Sequence, residues 1–253
     1  MSKIEWCDIT INPIVGCTKI SDGCKNCYAE KMAYRLKCMG VPKYQDVVDE
    51  NGWTGKIGVD LSVFNKLPKK PKKIFCDSMG DLFHEKVKWN DQYKVFEMAY
   101  LHQYHTFMLL TKRPQNLLNY YESIFFHLKR NYNFGGEYRD NIWIGVTAEN
   151  QKRADERISI LLQIPAAVRF VSVEPMLEPI SMRSPAARGR GFREWDWINK
   201  IDWVIAGPET GPGARPCNPE WIEDLYEQCT AAGVPFFDKR KTGWLARDFP
   251  CSE

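Results

Sequence analysis

Short apolar runs recur along the chain and alternate with longer stretches in which apolar and charged residues are mixed. The strongest runs lie at residues 72–77, 105–110, 141–147, 168–173, 202–206 and 234–238. Near-continuous apolar runs of this length are typical of parallel strands that are buried on both faces. A seventh candidate at residues 9–15 contains Pro13, which weakens that prediction because proline has no backbone N–H to donate.

Helical patterns separate the predicted strands and cover residues 25–38, 91–103, 114–128, 151–163 and 218–232. The last helix begins at Asn218-Pro219, an N-cap followed by proline, and ends before Gly233. Strands and helices that alternate at this spacing indicate repeated βαβ units. The sequence therefore predicts an α/β protein, a full or partial (β/α) barrel with about six or seven parallel strands. An open doubly wound sheet is the alternative.

Two irregular basic stretches interrupt this alternation in what we expect to be one domain over residues 1–253. Both are predicted to be insertions, near residues 39–71 and 181–200. The first ends in the lysine-rich stretch Lys66–Lys73, and the second combines Arg183, Arg188, Arg190 and Arg193 with Phe192, Trp195 and Trp197. Basic groups neutralise phosphates and aromatic rings stack on bases, so one hypothesis is nucleic-acid contact. The other is an ordinary solvated surface.

Overall charge and hydropathy narrow the class of protein. The chain of 253 residues has 35 basic and 32 acidic residues, and a net charge of +3 is too slight to indicate nucleic-acid binding by itself. No apolar run approaches the ~18 residues of a membrane span, and the N-terminus lacks the apolar region of a signal peptide. We expect a cytoplasmic protein without membrane contact. Clustered cysteines in that reducing compartment bind metal more often than they form disulfides.

Three of the nine cysteines are clustered in the segment CTKISDGCKNC, directly after the first predicted strand. Cys17, Cys24 and Cys27 have the spacing C-x6-C-x2-C. Three thiolates on one loop suit either an iron–sulfur cluster or a zinc ion. No fourth cysteine follows closely, which leaves one metal position open for chemistry. A structural zinc site with Cys7 as the fourth ligand is the rival interpretation.

Polar side chains follow each predicted strand, at the edge where parallel barrels place their active sites. The candidates are Ser78, Asp81, Thr111, Lys112, Arg113, Glu149, Asn150, Glu174, Glu209 and Lys239. Lys112 and Arg113 would bind a carboxylate or phosphate, because lysine offers a point charge and arginine a planar fork. The plain alternative is a set of solvated loops and structural salt bridges. His84 lies near this edge, where a structural role is the default.

These motifs, taken in order, resemble the radical S-adenosylmethionine (SAM) superfamily and, more narrowly, a phage-associated family with the three-cysteine spacing. The matching segments are NPIVGCTKISDGCKNCYAE, CDSMGDLF, LLTKRP, NIWIGVTAEN, RFVSVEPML, DWVIAGPETGPGARP and VPFFDKR. The resemblance implies a [4Fe–4S] cluster on the three cysteines, with SAM on the fourth iron. An electron from an external donor would cleave SAM to a 5′-deoxyadenosyl radical, which abstracts hydrogen from the substrate.

The resemblance also implies roles for residues at the strand ends. SAM would be bound by Tyr28, Ser78, Asp81, Glu149 and Asn150, and the substrate side would be lined by Thr111, Lys112, Arg113, Glu174, Glu209 and Lys239. The chain departs from the commonest C-x3-C-x2-C spacing, and Pro208 replaces a glycine of the GGESG-like segment. The family itself does not fix the substrate, and we expect a nucleotide, a nucleic acid or a related metabolite.

The sequence leaves three functional hypotheses. The first is a radical SAM enzyme. The second is a zinc-stabilised nucleic-acid-binding protein without catalysis. The third is an iron–sulfur repair or electron-transfer protein that does not use SAM.

Overall fold

Seven parallel strands form one curled sheet in the computed structural model, which describes residues 4–133, 139–185, 197–241 and 250. The strands are β1 (Ile9–Ile11), β2 (Lys73–Cys76), β3 (Thr106–Thr111), β4 (Ile142–Thr147), β5 (Val168–Val173), β6 (Trp203–Ala206) and β7 (Phe236–Asp238). Each strand pairs with the next along the chain. This sequential order gives a half-barrel and confirms the predicted partial barrel. A doubly wound sheet would require a reversal of strand order.

Helices follow the strands at the predicted places. They are α1 (Tyr28–Cys38), α2 (Trp89–Leu101), α3 (Pro114–Tyr132), α4 (Gln151–Leu161) and α5 (Pro219–Ala232). Helix α5 has the predicted caps: the Asn218 side chain accepts from the Glu220 N–H, and Gly233 is left-handed with φ 70°. In the described part of the chain, none of the helices combines the length and the apolar character needed to cross a membrane.

The first strand is shorter than the sequence predicts. It ends at Ile11, and Ile14–Val15 pairs antiparallel with Gly58–Val59 instead of continuing the sheet. Pro13 between them cannot donate a ladder hydrogen bond. The Ile14 N–H turns to the carboxylate of Asp77, with 2.7 Å between N and Oδ1. The chain therefore leaves the sheet early and enters the cysteine loop.

Side chains alternate between the two faces of the sheet, as they must in extended strands. The concave face is lined by a cluster of large residues, namely Phe75, Met108, Trp143, Phe170, Trp203, Ile205 and Phe237. Trp6 from the N-terminal segment completes this cluster, with its ring centroid 4.6 Å from that of Phe75. Gly145 is required there, because a Cβ at that position would lie 2.5 Å from the Phe170 ring. These residues fill the lumen below the carboxyl ends of the strands.

The convex face of the sheet packs against the helices and forms the larger core. Ile74, Phe107, Ile144, Val171 and Val204 are fully buried from the strand side. Apolar positions of α2, α3, α4 and α5 cover them. The strands are therefore buried on both faces, which explains their near-continuous apolar sequences.

Short elements surround the cysteine loop and fill the segment 39–71. They are the strand pair Val48–Asp49 and Gly52–Trp53 and the 3₁₀ helices Asp22–Cys24, Pro42–Tyr44 and Leu61–Lys66. A further 3₁₀ helix, Trp197–Lys200, lies just before β6. The Glu30 side chain of α1 accepts from the Trp53 N–H at 3.3 Å and pairs with Lys19 at 2.8 Å. The segment 39–71 thus packs beside the cysteine loop.

The two basic stretches lie in different situations. Lys66–Lys73 leads into β2 at the amino-terminal edge of the sheet, whereas the cysteine loop lies at the carboxyl-terminal edge. Trp197 is buried in the core and offers no ring to a nucleic acid. Arg183 is described, but Arg188, Arg190, Phe192, Arg193 and Trp195 lie outside the described residues.

Candidate functional site

The three clustered cysteines line one cavity of about 130 Å³ at the carboxyl end of the half-barrel. Cys24 ends the 3₁₀ helix, and Cys27 immediately precedes α1. Cys7 does not line this cavity: it precedes β1, with its Sγ 3.5 Å from the Ile4 carbonyl oxygen. Within the described ranges, no three His, Cys, Asp or Glu side chains are grouped so that they could hold a metal ion.

Arg113 holds the start of the cysteine loop. Its Nη2 donates to the Thr18 hydroxyl at 2.8 Å and to the Thr18 carbonyl at 3.1 Å, and its Nη1 lies 3.6 Å from Cys17 Sγ. The same guanidinium donates to Asp81 at 3.1 Å and to Glu85 at 2.9 Å. Arg113 is buried and its donors are committed within the chain. It positions the loop rather than facing the substrate side, where the sequence predicted it.

Asp81 is equally committed. Its two carboxylate oxygens accept from the Thr111 hydroxyl at 2.7 Å, the Lys112 N–H at 3.3 Å and Arg113, besides the Phe83 N–H at 3.1 Å. Such a buried carboxylate is stable only when paired and hydrogen-bonded. Asp81 thus connects the ends of β2 and β3 to the guanidinium that holds the cysteine loop.

His84 supports the same loop from behind. Its Nδ1 accepts from the Lys86 N–H at 3.1 Å, so its Nε2 carries the proton and donates to the Thr18 hydroxyl at 3.0 Å. Burial and the nearby Arg113 charge lower the pKa of His84, which keeps the imidazole neutral. The structural role expected for this histidine is therefore the one that its contacts describe.

The thiols of the loop have different electrostatic surroundings. Burial, with the Asp81 carboxylate, raises the pKa of Cys17 to about 12, against the opposing effect of Arg113. Burial also acts to raise the pKa of Cys24, but the Lys112 ammonium and hydrogen bonds from the Ile20–Ser21 turn outweigh it and lower that pKa. Cys24 is thus the more acidic thiol of the two.

A second cavity of about 200 Å³ adjoins the first. The two cavities share a wall that consists of Cys27, Tyr28, Phe75, Leu110, Lys112 and Thr147. The floor of the second cavity includes Ile4 and Trp6 of the N-terminal segment. Its rim carries four polar side chains from the carboxyl ends of β5, β6 and β7. Ser172 lies near the end of β5, and Glu174, Glu209 and Lys239 follow β5, β6 and β7. A molecule in the second cavity would lie directly beside Cys27.

Charges in the second cavity are paired with one exception. Glu174 forms an ion pair with Lys239 and also accepts from the Ser172 hydroxyl at 3.3 Å. Glu209 is neutralised by Arg215, whose hydrogen bonds lower the pKa of Glu209 to about 2. Lys112 is half-buried on the shared wall, and its ammonium makes no ion pair within the described part of the chain. The charge of this ammonium acts on Cys24, whose pKa it lowers against the effect of burial.

The predicted site residues divide into three groups. The cysteine cavity is lined by Tyr28, Ser78, Asp81, Thr111, Lys112 and Arg113, and the second cavity by Tyr28, Lys112, Glu174, Glu209 and Lys239. Neither cavity is lined by Glu149 or Asn150. The Tyr28 hydroxyl donates to the Ser78 carbonyl at 2.8 Å, and the Ser78 hydroxyl donates to Asn12 at 3.1 Å.

Glu149 and Asn150 have structural contacts instead. Asn150 is the N-cap of α4 and accepts from the Arg153 N–H at 2.9 Å. Glu149 is fully buried and pairs with Arg157 at 2.8 Å. A Cβ on Gly23 would lie 3.0 Å from the Glu149 carboxyl carbon, so Glu149 packs directly beneath the 3₁₀ turn of the cysteine loop. The resemblance predicted that both residues contact SAM, but the structure places them outside the two cavities.

Several residues of the site could not be identified from local sequence motifs. Trp6 and Ile4 reach the cavity floor from before the first strand. Asn26, which lies between two of the cysteines, donates to Glu209 over a separation of 183 residues at 2.8 Å. Such long-range pairings depend on the curvature of the sheet and are not visible in local periodicity. The sequence signal for Asn26 is limited to its position within the cysteine motif.

The match to known proteins is at the family level. A model of the family described as "Protein of unknown function (DUF5131)" matches residues 1–250, and the chain belongs to that family. No curated protein matches the chain, and no solved structure matches it.

Proposed function

We propose that this member of the DUF5131 family is an iron–sulfur, SAM-dependent radical enzyme acting on a nucleotide, a nucleic acid or a related metabolite. One observation carries the proposal. Three thiols of a single loop line one cavity at the carboxyl end of the half-barrel, and that cavity shares a wall with a second, charged cavity. A reactive group held at the thiols would meet a molecule in the second cavity across Cys27 and Lys112.

The donor set suits a [4Fe–4S] cluster better than a zinc ion. In a cluster each thiolate binds a different iron, so the sulfurs stand farther apart than around one shared ion. Three thiols line the cavity, one for each of three irons of such a cluster. Cys7, the fourth ligand that a four-cysteine zinc site would need, does not line the cavity.

The residues of this chain would hold and orient the cofactors. When bound, the cluster and SAM supply the radical chemistry, with the electron coming from an external donor. Arg113 and Thr18 fix the cysteine loop, and Lys112 offers its unpaired ammonium to the SAM carboxylate. Tyr28 and Ser78 line the same cavity within reach of the bound ligand. The packed aromatic floor excludes water from below.

Recognition of the substrate would fall to the far wall of the second cavity. Glu174 and Lys239 present an acceptor and a donor side by side, next to the hydroxyls of Ser172 and Thr147. Ion pairs that are partly desolvated interact more strongly with polar ligands than exposed ones. This wall suits a substrate edge with adjacent donor and acceptor groups, as on a nucleobase.

The test is anaerobic purification followed by measurement of iron and acid-labile sulfide, and by incubation with dithionite and SAM. We expect about four irons per chain and release of 5′-deoxyadenosine. A colourless protein with one zinc per chain would refute the proposal and favour the non-catalytic alternative. Iron and sulfide without SAM cleavage, under several reductants, would favour the repair or electron-transfer hypothesis.

The proposal includes a cytoplasmic location, because reduced thiols and an external electron donor are needed. The nucleic-acid-binding alternative gains little support from the geometry. Its basic stretch Lys66–Lys73 lies at the opposite edge of the sheet from the cysteines. Phosphate contacts there would be separated from the metal site by the length of the strands.

A further inference from the structure

Residues 207–216, which we call the strap, connect β6 to α5 and form one wall of the second cavity. Pro208, Glu209 and Thr210 line the cavity, and residues 210–214 are exposed. Gly211 and Gly213 have positive φ values of 92° and 79°. Among the residues that the structure describes, none beyond the chain neighbours lies within 4 Å of a Cβ placed on either glycine. The strap therefore has room to move away from the cavity.

Asn26 of the cysteine loop makes the shortest contacts that hold the strap in place. Its Nδ2 donates to Glu209 Oε2 at 2.8 Å and to the Gly213 carbonyl at 2.9 Å. Lys31 Nζ reaches the Pro212 carbonyl only at 3.5 Å, the limit of a hydrogen bond. Asn26 directly precedes Cys27, so the strap is attached to the metal-binding motif itself.

The Glu209 carboxylate, which accepts a hydrogen bond from Asn26, is held rigidly within the strap. The Glu209 carboxylate also accepts from the Arg215 backbone N–H at 2.8 Å, from Nε at 3.0 Å and from Nη2 at 2.6 Å. This bidentate pairing fixes the carboxylate oxygens in one orientation. Asn26 thus bonds to an acceptor that is already held, and movement of the Asn26 side chain is transmitted to the whole strap.

We propose that Asn26 is a positioning residue that couples the cysteine loop to closure of the second cavity by the strap. Asn26 Nδ2 donates both hydrogen bonds, so removal of this side-chain amide would release Glu209 and Gly213 together. Coupling between two sites is reciprocal, and a molecule that presses on the strap would act on the loop at Cys27. The importance of this closure for catalysis rests on the proposed function, whereas the contact between loop and strap does not.

Hydrogen–deuterium exchange of the anaerobically purified protein tests the contact. In Asn26→Ala we expect amide exchange in the strap, including Ala214 and Arg215, to be about tenfold faster, as the loss of two hydrogen bonds implies. Asn26→Asp keeps the shape, cannot donate and faces the Glu209 carboxylate, so its effect should be at least as large. The control is Asn131→Ala, an asparagine-to-alanine change far from the strap that removes a single hydrogen bond, from Asn131 Nδ2 to the Tyr93 hydroxyl of α2 at 2.9 Å.

Iron release to a chelator tests the coupling. Asn26→Ala should load the same amount of iron as the parent protein and release it several-fold faster, while Asn131→Ala should match the parent. Unchanged strap exchange in both Asn26 variants, or an equal increase in Asn131→Ala, would overturn the contact. Faster exchange with an unchanged release rate would overturn the coupling. A protein without any iron would contradict the proposed function, and the exchange experiment would still decide the contact.

Discussion

The guanidinium of Arg113 and the carboxylate of Asp81 form an ion pair inside the protein, with 3.1 Å between Nη1 and Oδ2. Their side chains are only 4% and 7% exposed. The same guanidinium binds Glu85 at 2.9 Å, but that carboxylate is 58% exposed. One arginine therefore has two acidic partners that differ mainly in burial. Because this arginine also holds the cysteine loop, its partners matter for the site as well as for stability.

Replacement of the buried partner should be costly. Asp81→Asn leaves a buried guanidinium without its buried counter-charge, and removing one member of such a pair lowers the free energy of unfolding by about 3 kcal/mol. Glu85→Gln, the matched control, should cost less than about 1 kcal/mol because water screens the exposed partner. Urea denaturation of the anaerobic proteins measures both. Equal costs would show that burial does not govern this pairing.

The ligand assignment predicts a sharp difference among cysteines. Cys24→Ala should lose nearly all bound iron, because two remaining thiolates leave two irons of the cluster without protein ligands. Cys7→Ala should retain its iron, since Cys7 does not line the cavity. Iron and sulfide assays on proteins purified side by side give the answer. Iron that survives in Cys24→Ala would mean that other residues hold the metal.

Lys112 should matter for ligand binding and not for folding. Lys112 forms no ion pair within the described part of the chain. The substitution Lys112→Met should therefore change the free energy of unfolding by less than about 0.5 kcal/mol. The affinity for SAM should fall about 10- to 100-fold, as expected when one charged hydrogen bond is lost. Equilibrium dialysis of the iron-loaded protein measures this. The control Lys25→Met changes an exposed lysine of the cysteine loop and should bind SAM normally.

His105 predicts a dependence of stability on pH. It is buried, its Nδ1 accepts from the Lys72 N–H at 3.0 Å, and burial together with nearby His102 lowers its pKa below 6.5. As the pH falls, His105 therefore binds a proton in the unfolded chain at a higher pH than in the folded protein. The free energy of unfolding should consequently fall as the pH drops below about 6.5. The slope from one group cannot exceed about 1.4 kcal/mol per pH unit.

The matched variant for this prediction is His105→Asn, whose side-chain oxygen can accept the same hydrogen bond without titrating. Its stability should depend less steeply on pH between about 5 and 6.5. His84, whose pKa is also lowered, is present in both proteins and cancels in the comparison. Denaturant midpoints measured across this range provide the test. Parallel curves for the two proteins would contradict the assignment to His105.

Local sequence patterns were sufficient for the fold because the strands of the half-barrel are apolar runs and α-helices follow five of them. The exception, β1, ends early at Ile11 since Pro13 cannot pair. Alternation also extends to the site. Lys112, Glu174 and Lys239 continue the inward-facing positions of Met108, Phe170 and Phe237, and all three line the second cavity. Two-residue periodicity thus selects the strand-end residues that face the lumen.

The same patterns failed where a side chain is used by its own helix or by a distant loop. Asn150 caps α4, and Glu149 pairs with Arg157 two turns along that helix. A residue directly after a strand can thus serve the following helix instead of the cavity. The bond from Asn26 to Glu209 joins β1 and β6 loops, and no local pattern announces which loops will meet.

Gly16 has a consequence for the order of events during maturation. Its φ is 95°, and a Cβ there would lie 2.3 Å from the Lys56 carbonyl oxygen, while its N–H donates to Met79 at 3.1 Å. The residue before Cys17 is thus locked by backbone packing alone. Small zinc-dependent domains, by contrast, fold only when their metal arrives. The proposed cluster would therefore assemble in a chain that is already folded, with little ordering entropy to overcome.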